Sequence, residues 1–152
     1  MNNLHVNLNQ AANLIRNIGT TNTVLLEGQP GVGKSAVLKM LATELPDYMP
    51  CYIDCANLDL GDLGMPVIDR EAMLTEYAPN ARFGIGRNQN RPVVLMLDEL
   101  GKASKPVMNM LWPTIYERRV ADVVLPTGSI VFATTNLKTD GVGDNIPAQG
   151  YS

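Results

Sequence analysis

Apolar residues recur three or four positions apart in three stretches of the chain, a spacing that predicts three amphipathic helices. The predicted helices cover 7–18, 33–45 and a stretch that begins at 105. Gly19 and Pro46 follow the first two, and both residue types commonly end helices. We therefore expect the first helix to end at Ile18 and the second at about Leu45.

The third predicted helix has a capping residue and an internal proline. Ser104 can accept a hydrogen bond from a free amide of the first turn. Helical spacing then predicts that Val107, Met110 and Leu111 face inward. Because proline has no amide proton, we expect Pro113 to kink this helix or to restart it.

Short apolar runs between these helices predict strands at 23–27, 52–54, 93–97 and 130–135. The third of these runs has five consecutive apolar residues between Pro92 and Asp98. Such a run is typical of a central parallel strand that is covered on both faces. Since strands alternate with helices, the sequence predicts an α/β fold with a parallel sheet and right-handed crossovers.

The stretch 57–90 shows weak periodicity and is rich in glycine, proline and asparagine. We interpret it as an insertion. Within it, 66–68 and 72–77 could pair as a β-hairpin around Asp69 and Arg70.

Composition restricts the class of protein. The chain has 152 residues, of which 45% are hydrophobic and 18% charged, and its net charge is −3. This length suits one globular domain with its own core. The basic residues are scattered, so we expect no nucleic-acid partner. No apolar run resembles a signal peptide or a membrane span, so we expect a cytoplasmic protein without a membrane partner.

The two cysteines are predicted to be buried free thiols. Cys51 and Cys55 lie four positions apart in an extended segment, which separates them by about 13 Å, too far for a disulfide. A closed zinc site would need four ligands, and His5 is the only histidine.

A glycine-rich motif between the first predicted strand and the second predicted helix indicates phosphate binding. The segment Gly28-Gln29-Pro30-Gly31-Val32-Gly33-Lys34-Ser35 matches G-x-x-x-x-G-K-[ST] at every required position. Glycines let the backbone N–H groups surround phosphate oxygens, Lys34 reaches the β- and γ-phosphates, and Ser35 ligates Mg²⁺. The alternative is a glycine turn before a surface helix. The expected nucleotide-binding residues are Gly28, Gln29, Pro30, Gly31, Val32, Gly33, Lys34, Ser35 and Ala36.

Polar residues end two of the other predicted strands. Asp98 and Glu99 follow the run 93–97, where Asp98 would hold Mg²⁺ through its water shell and Glu99 would polarise the attacking water. Asn136 follows 130–135, and its amide could contact the γ-phosphate or that water. The alternatives are a solvated strand end for the acidic pair and a turn cap for the asparagine.

Two other nucleotide motifs fit less well. The segment 31–36 also matches the dinucleotide pattern G-x-G-x-x-[GA], with Asp54 near the position that binds a ribose. That pattern begins directly at the strand end, where this chain has Gly28, and it leaves Lys34 and the acidic pair unexplained. The segment 136–140 lacks the spacing of the N-K-x-D guanine motif.

Together, G-x-P-G-x-G-K-S, a strand ending in Asp-Glu and a strand ending in Asn resemble the AAA+ ATPases. The segment 59–66, the hairpin after it and the segment 111–120 are similar to the MoxR-like branch. The likeness covers about 8–147.

The resemblance implies a P-loop NTPase fold, a three-layer α/β sandwich around a mostly parallel sheet, in which 1–152 form one nucleotide-binding core. It implies that the strands lie in the order 23–27, 130–135, 93–97 and 52–54. It also implies ATP and Mg²⁺ as cofactors and a homo-oligomeric ring whose hairpin handles a protein client. Arg82, Arg87 and Arg91 could line that hairpin, or they could belong to a solvated loop.

The chain departs from the family after Asn136. Family members continue into an arginine that reaches a neighbour's nucleotide, a fifth strand and a helical lid, whereas 137–152 contain no arginine. We therefore expect the C-terminal lid to be absent. The strand at 23–27 would then be a sheet edge that favours self-association, and the isolated chain would hydrolyse ATP slowly.

These observations predict a Mg²⁺-dependent ATPase core that powers the remodelling of a protein partner. Glu99, Lys34 and Asn136 are the expected catalytic residues, and Ser35 and Asp98 the expected metal ligands. The alternative is a nucleotide-responsive binding or assembly module without turnover of its own.

Overall fold

The chain folds into helices on both faces of a parallel sheet. The computed structural model describes residues 5–29, 33–85 and 90–136. The α-helices in these residues are α1 (Leu8–Ile18), α2 (Ala36–Glu44), α3 (Leu60–Leu63) and α4 (Lys105–Glu117). The strands are β1 (Val24–Gly28), β2 (Met49–Asp54), β3 (Gly64–Asp69), β4 (Leu74–Pro79), β5 (Val93–Asp98), β6 (Arg119–Val120), β7 (Val123–Val124) and β8 (Ile130–Asn136).

The central sheet has four strands in the order β1-β8-β5-β2. All three neighbouring pairs are parallel, as the apolar runs predicted. The order is the one that the resemblance to the AAA+ ATPases implied. β2 begins at Met49, three residues before the predicted start, because Met49 and Pro50 already pair with Val93 and Val94.

Helices cover both faces of the sheet, which confirms the predicted three-layer α/β sandwich. Alternate side chains of β5 point to opposite faces: Val94 and Met96 pack under α1 and α2, and Leu95 and Leu97 pack under α4. All five apolar residues of β5 are fully buried, as expected of a central parallel strand.

Helix α1 begins and ends much as the sequence predicted. Asn7 and Gln10 form a capping box, in which each side chain accepts the other residue's backbone amide. Gly19 follows the helix with φ −67°, so a glycine is needed at this position because of space and not because of the backbone dihedral angle. A Cβ at Gly19 would lie 2.6 Å from the Ile130 Cγ2 atom.

Helix α4 corrects the prediction for Met110 and excludes one of the two outcomes expected at Pro113, a restart of the helix. Ser104 caps it, but Met110 is 45% exposed instead of facing inward. The buried residues of α4 centre on Val107, Leu111 and Ile115, and Met110 lies at the margin of that face. The helix also continues through Pro113 without restarting. The carbonyl that loses its partner belongs to Asn109, an exposed residue, so water can replace the missing amide.

The insertion contains the predicted hairpin, formed by β3 and β4. Its turn is longer than expected, because Asp69 pairs with Leu74 and four residues lie between them. The Asp69 carboxylate accepts the amides of Glu71 and Ala72, which holds the turn. The two-residue strands β6 and β7 form a second hairpin that was not predicted, since two residues carry no periodicity.

A pair of hydrogen bonds joins the two hairpins. The Tyr77 amide donates to an Asp122 carboxylate oxygen at 2.6 Å, and the Asp122 amide donates to the Tyr77 carbonyl at 3.4 Å. The base of the first hairpin is therefore attached to the turn between β6 and β7. In the described part of the chain, no helix has the length and apolar character needed to cross a bilayer.

Candidate functional site

The polar residues that the sequence analysis singled out meet at the end of the sheet where its parallel strands terminate, an end that is called the sheet edge below. In the strand register Gly28 of β1 lies beside Asn136 of β8, and Asp98 of β5 lies beside Asp54 of β2. These are the carboxyl ends of four parallel strands, the edge at which open α/β sheets build their binding sites. Strand alternation places the side chains of Asp98 and Asn136 on the face covered by α1 and α2.

The glycine-rich loop lies between β1 and α2. Gly28, Gln29 and Gly33 to Ala36 are described, whereas Pro30, Gly31 and Val32 lie outside the described residues. Gly33 has φ +85°, a conformation that residues with a Cβ rarely adopt, so a glycine is required here. Lys34 and Ser35 form a turn, and α2 begins at Ala36, three residues later than predicted.

Lys34 connects this loop to β8. Its ammonium donates to the carbonyls of Gly28 and Gln29, both at 3.1 Å, and to the Asn136 side-chain oxygen at 2.9 Å. A lysine ammonium has three protons, so each one has an acceptor. The structure thus brings two predicted catalytic residues, 102 positions apart in sequence, into direct contact.

Asp98 accepts hydroxyl hydrogen bonds from the strands on both sides of it. Thr134 of β8 donates to Oδ1, and Tyr52 of β2 donates to Oδ2. Thr134 is fully buried, whereas Tyr52 is 48% exposed. The hydrogen bond to Asp98 raises the pKa of Tyr52, and burial and the nearby negative charges raise it further.

Sequence reasoning missed both of these hydroxyl groups. Tyr52 precedes Asp54 by two residues and Thr134 precedes Asn136 by two. Alternation therefore places each of them on the same sheet face as the polar strand end that follows. This period of two was the available signal, although it does not say which neighbouring side chain a hydroxyl will reach.

Glu99 lies directly after β5 in a left-handed backbone conformation, with φ +56°. For a residue with a side chain this conformation costs roughly 1–2 kcal/mol. The Glu99 amide donates to the Thr134 hydroxyl at 3.2 Å, and its carboxylate lies 3.6 Å from the Lys102 ammonium. Thr134 thus contacts both members of the acidic pair, because its hydroxyl accepts the Glu99 amide and donates to the Asp98 carboxylate.

Both cysteines are free and buried, as predicted. Burial raises the pKa of the Cys51 thiol to about 11. For Cys55, burial and then the charges of Asp98 and Asp54 raise the pKa to about 12. Because the thiolate is the reactive form of cysteine, these values indicate inert thiols rather than catalytic ones.

The predicted arginines take different positions around the insertion. Arg82 forms an ion pair of 2.7 Å with Asp62, near the base of the hairpin. Arg91 donates to backbone carbonyls between α2 and β2, so it does not line the hairpin. Arg87 lies outside the described residues.

Comparisons with known proteins agree with this geometry. The family model described as "ATPase family associated with various cellular activities (AAA)" matches residues 24–143. A crystal structure of a candidate ATPase from Cytophaga hutchinsonii ATCC 33406 is similar, with a TM-score of 0.53 and 20% identity. The match covers 91% of this chain and 41% of the other, and at this identity it shows the fold alone. No curated protein sequence matches the chain.

Proposed function

The chain belongs to the ATPase family associated with various cellular activities, and from this we propose that it is the core of a Mg²⁺-dependent ATPase that remodels a protein partner. Membership of this family implies ATP binding and hydrolysis. The observation that carries the proposal is the contact of Lys34 with Asn136, which joins the glycine-rich loop to the sheet edge that holds Asp98. The MoxR-like branch is part of the proposal and rests on the sequence similarity of the segments 59–66 and 111–120.

The glycine-rich loop is proposed to bind the phosphates of ATP. Gly33 has the left-handed conformation that lets a loop backbone approach an anion closely. The Lys34 ammonium has backbone carbonyls and an amide oxygen as acceptors, and the more basic phosphate oxygens would replace them. Pro30, Gly31 and Val32 lie outside the described residues and are included because they complete the motif.

Ser35 and Asp98 are proposed to hold Mg²⁺. Ser35 would supply an oxygen ligand, and Asp98 would accept hydrogen bonds from waters on the ion, since Mg²⁺ prefers oxygen ligands and keeps several of its waters. The Ser35 side chain makes no capping hydrogen bond to α2. Each Asp98 oxygen accepts one hydroxyl and keeps a lone pair for a metal-bound water. The residues therefore fit the ion, which when bound would neutralise phosphate charge.

Glu99 and Asn136 are proposed to act on the attacking water. The left-handed backbone of Glu99 and its hydrogen bond to Thr134 fix the direction in which this side chain leaves the strand. Its carboxylate would accept a proton from the water as it attacks the γ-phosphate. The Asn136 amide, beside Lys34, would orient the same water or the γ-phosphate.

The hairpin of β3 and β4 is proposed to contact the protein partner. Its large apolar side chains are about half to almost fully exposed on both of its faces, and they include Met65, Val67, Ile68, Met73 and Leu74. Exposed apolar groups of this kind favour protein contacts. We place the working form in the cytoplasm as a homo-oligomeric ring, in line with the resemblance to the AAA+ ATPases.

The experiment is calorimetric titration of ATP into the purified chain, with phosphate release measured on the same preparation. Lys34→Ala should weaken ATP binding by more than about tenfold, since it removes the positive charge from the phosphates. Lys39→Ala is the matched control, because Lys39 is an exposed lysine further along α2, and it should leave the affinity within about threefold. Lys39→Ala should keep the wild-type melting temperature, and Lys34→Ala should still unfold cooperatively although it loses three hydrogen bonds, so that weaker binding is not a loss of folding.

Wild-type affinity in Lys34→Ala would refute the assignment of the phosphate-binding loop. Phosphate release above the Lys34→Ala background would support an enzyme. ATP binding without any release would instead favour the nucleotide-responsive binding module.

A further inference from the structure

Tyr52 is a polar side chain at this sheet edge to which the proposed function gives no role. It lies beside Met96 in the strand register, two residues before Asp54 pairs with Asp98. Alternation puts Tyr52 and Asp98 on the same face of the sheet, and the tyrosine hydroxyl reaches diagonally to donate to Asp98 Oδ2. The ring itself is half exposed and belongs to neither hydrophobic cluster of the core.

Asp98 is thus held from two sides. Thr134 on β8 binds one carboxylate oxygen and Tyr52 on β2 binds the other, while Asp98 lies on β5 between these two strands. Two donors on different oxygens fix the rotation of a carboxylate group, which a single donor would leave free. Each oxygen still has a lone pair that can accept a hydrogen bond from a metal-bound water.

We propose that Tyr52 is a positioning residue for magnesium binding, whose hydroxyl, with that of Thr134, holds the Asp98 carboxylate in the orientation that receives the water shell of the ion. The inference rests on the proposed function, because it needs Asp98 to be the metal-binding carboxylate. Hydrogen-bond partners of metal ligands commonly change metal affinity when they are removed, by about 10- to 100-fold. Asp98 would contact the ion through water and the Tyr52 side chain is half exposed. We therefore expect the change in magnesium affinity to lie at the lower end of that range.

The test has to distinguish this loss of magnesium affinity from the opposite effect, a gain of affinity when the hydroxyl is removed. If the hydroxyl competed with metal-bound waters for Oδ2, its removal would strengthen magnesium binding. Tyr52→Phe separates the two because it deletes one oxygen and leaves the ring in place. Thr134 is less suitable, since it is fully buried and its hydroxyl also accepts the Glu99 amide.

The experiment measures the affinity of the full chain for a non-hydrolysable ATP analogue by calorimetry, with and without Mg²⁺. The ratio of the two affinities is the magnesium gain. We expect Tyr52→Phe to reduce this gain about tenfold while leaving the metal-free affinity and the melting temperature unchanged. Tyr77→Phe is the matched control, because Tyr77 is a similarly exposed tyrosine, at 49%, on the hairpin, and it should keep the full gain.

A double-mutant cycle shows whether Tyr52 acts through Asp98. Asp98→Asn should abolish most of the magnesium gain, and adding Tyr52→Phe to it should cause no further loss. A Tyr52→Phe gain equal to or above wild type overturns the inference, and so does an equal loss in the Asp98→Asn background. A wild-type chain without any magnesium gain overturns the proposed function as well, whereas a normal wild-type gain that Tyr52→Phe leaves intact overturns this inference alone.

Discussion

At the scale of a single residue, Glu99 combines a strained backbone with the role that we propose for it, the activation of the attacking water. Its left-handed conformation is held by the hydrogen bond that its backbone amide donates to the Thr134 hydroxyl and by the one-turn 3₁₀ helix that begins at Leu100. Non-glycine residues in such conformations concentrate at functional sites, where the surrounding structure holds them. A glutamine at this position has nearly the same shape and the same backbone cost, so it isolates the charge of the side chain.

Glu99→Gln should retain ATP binding and lose hydrolysis. The neutral amide cannot accept a proton from the attacking water, and general-base catalysis contributes typically about 10²–10⁴ in rate. Phosphate release measures the loss, and calorimetry measures the retained affinity. Glu117→Gln, on the exposed end of α4, is the control and should hydrolyse ATP at the wild-type rate. An undiminished rate in Glu99→Gln would remove this residue from the mechanism.

The candidate site residues that belong to contiguous motifs could be proposed from the sequence, whereas the residues whose contacts depend on strand register were missed. Lys34 and Asp98 could be named because a short spacing or a strand end specifies them. The contact of Tyr52 with Asp98 spans 46 positions, and it depends on which residues of β2 and β5 lie side by side. No local pattern fixes that alignment, so the two hydroxyl donors to Asp98 could not be predicted.

Among the elements, those with long periodic patterns were predicted well. β5 has five consecutive apolar residues, β8 begins with four, and α1 has both a cap and a terminal glycine. The errors lie where side chains compete with periodicity. Asp69 lengthened the hairpin turn by accepting two amides, and the strand at 119–120 is too short to show alternation.

Arg118 joins three elements at the end of α4. Its guanidinium donates to the Ile115 carbonyl of α4, to the Gly19 carbonyl after α1 and to the Thr23 hydroxyl before β1. Burial lowers the pKa of this arginine, which means that its charge is poorly solvated. Its Nε has no hydrogen-bond partner among the described residues. The gain from three charged hydrogen bonds is therefore offset in part by desolvation.

Arg118→Ala should destabilise the fold by about 2–3 kcal/mol, since hydrogen bonds to charged groups contribute roughly 1.5–3 kcal/mol and its acceptors would be left buried. Urea unfolding measures the change. Arg119→Ala is the neighbouring control: its partner Glu117 is 3.8 Å away and the two side chains are 43% and 66% exposed, so it should cost less than about 1 kcal/mol. Equal effects of the two substitutions would show that Arg118 does not hold these elements together.

At the scale of the whole molecule, the sandwich and the hairpin have different physical roles. The sandwich buries apolar residues on both sides of the sheet. A strand that is buried on both faces is a continuous apolar run, and this run together with the alternation of strands and helices made the fold predictable. The hairpin of β3 and β4 leaves almost every residue exposed. Because its residues are exposed, the hairpin adds little to the core. Its hydrogen bonds to the rest of the chain include the pair between Tyr77 and Asp122.

This separation predicts that the hairpin can be removed without loss of nucleotide binding. Met65 and Ala78 pair across the base of the hairpin, so a two-residue Gly-Gly turn can replace 66–77. Because the deleted residues are exposed, we expect ATP affinity within about threefold of wild type and a change in unfolding free energy below about 1 kcal/mol. Calorimetry and urea unfolding measure these quantities.

The same variant shows which surface causes association between chains. Two surfaces are candidates: the apolar hairpin, and β1, which has β8 as its one strand partner in the described part of the chain. If the hairpin dominates, its replacement should lower the concentration-dependent increase in light scattering, and Ile68→Ser with Met73→Ser should do so with the hairpin still present. Unchanged scattering would assign association to the β1 edge.

A more than tenfold loss of ATP affinity on hairpin replacement would show that the hairpin is coupled to the nucleotide site. That result would contradict the independence argued from the exposure of the hairpin.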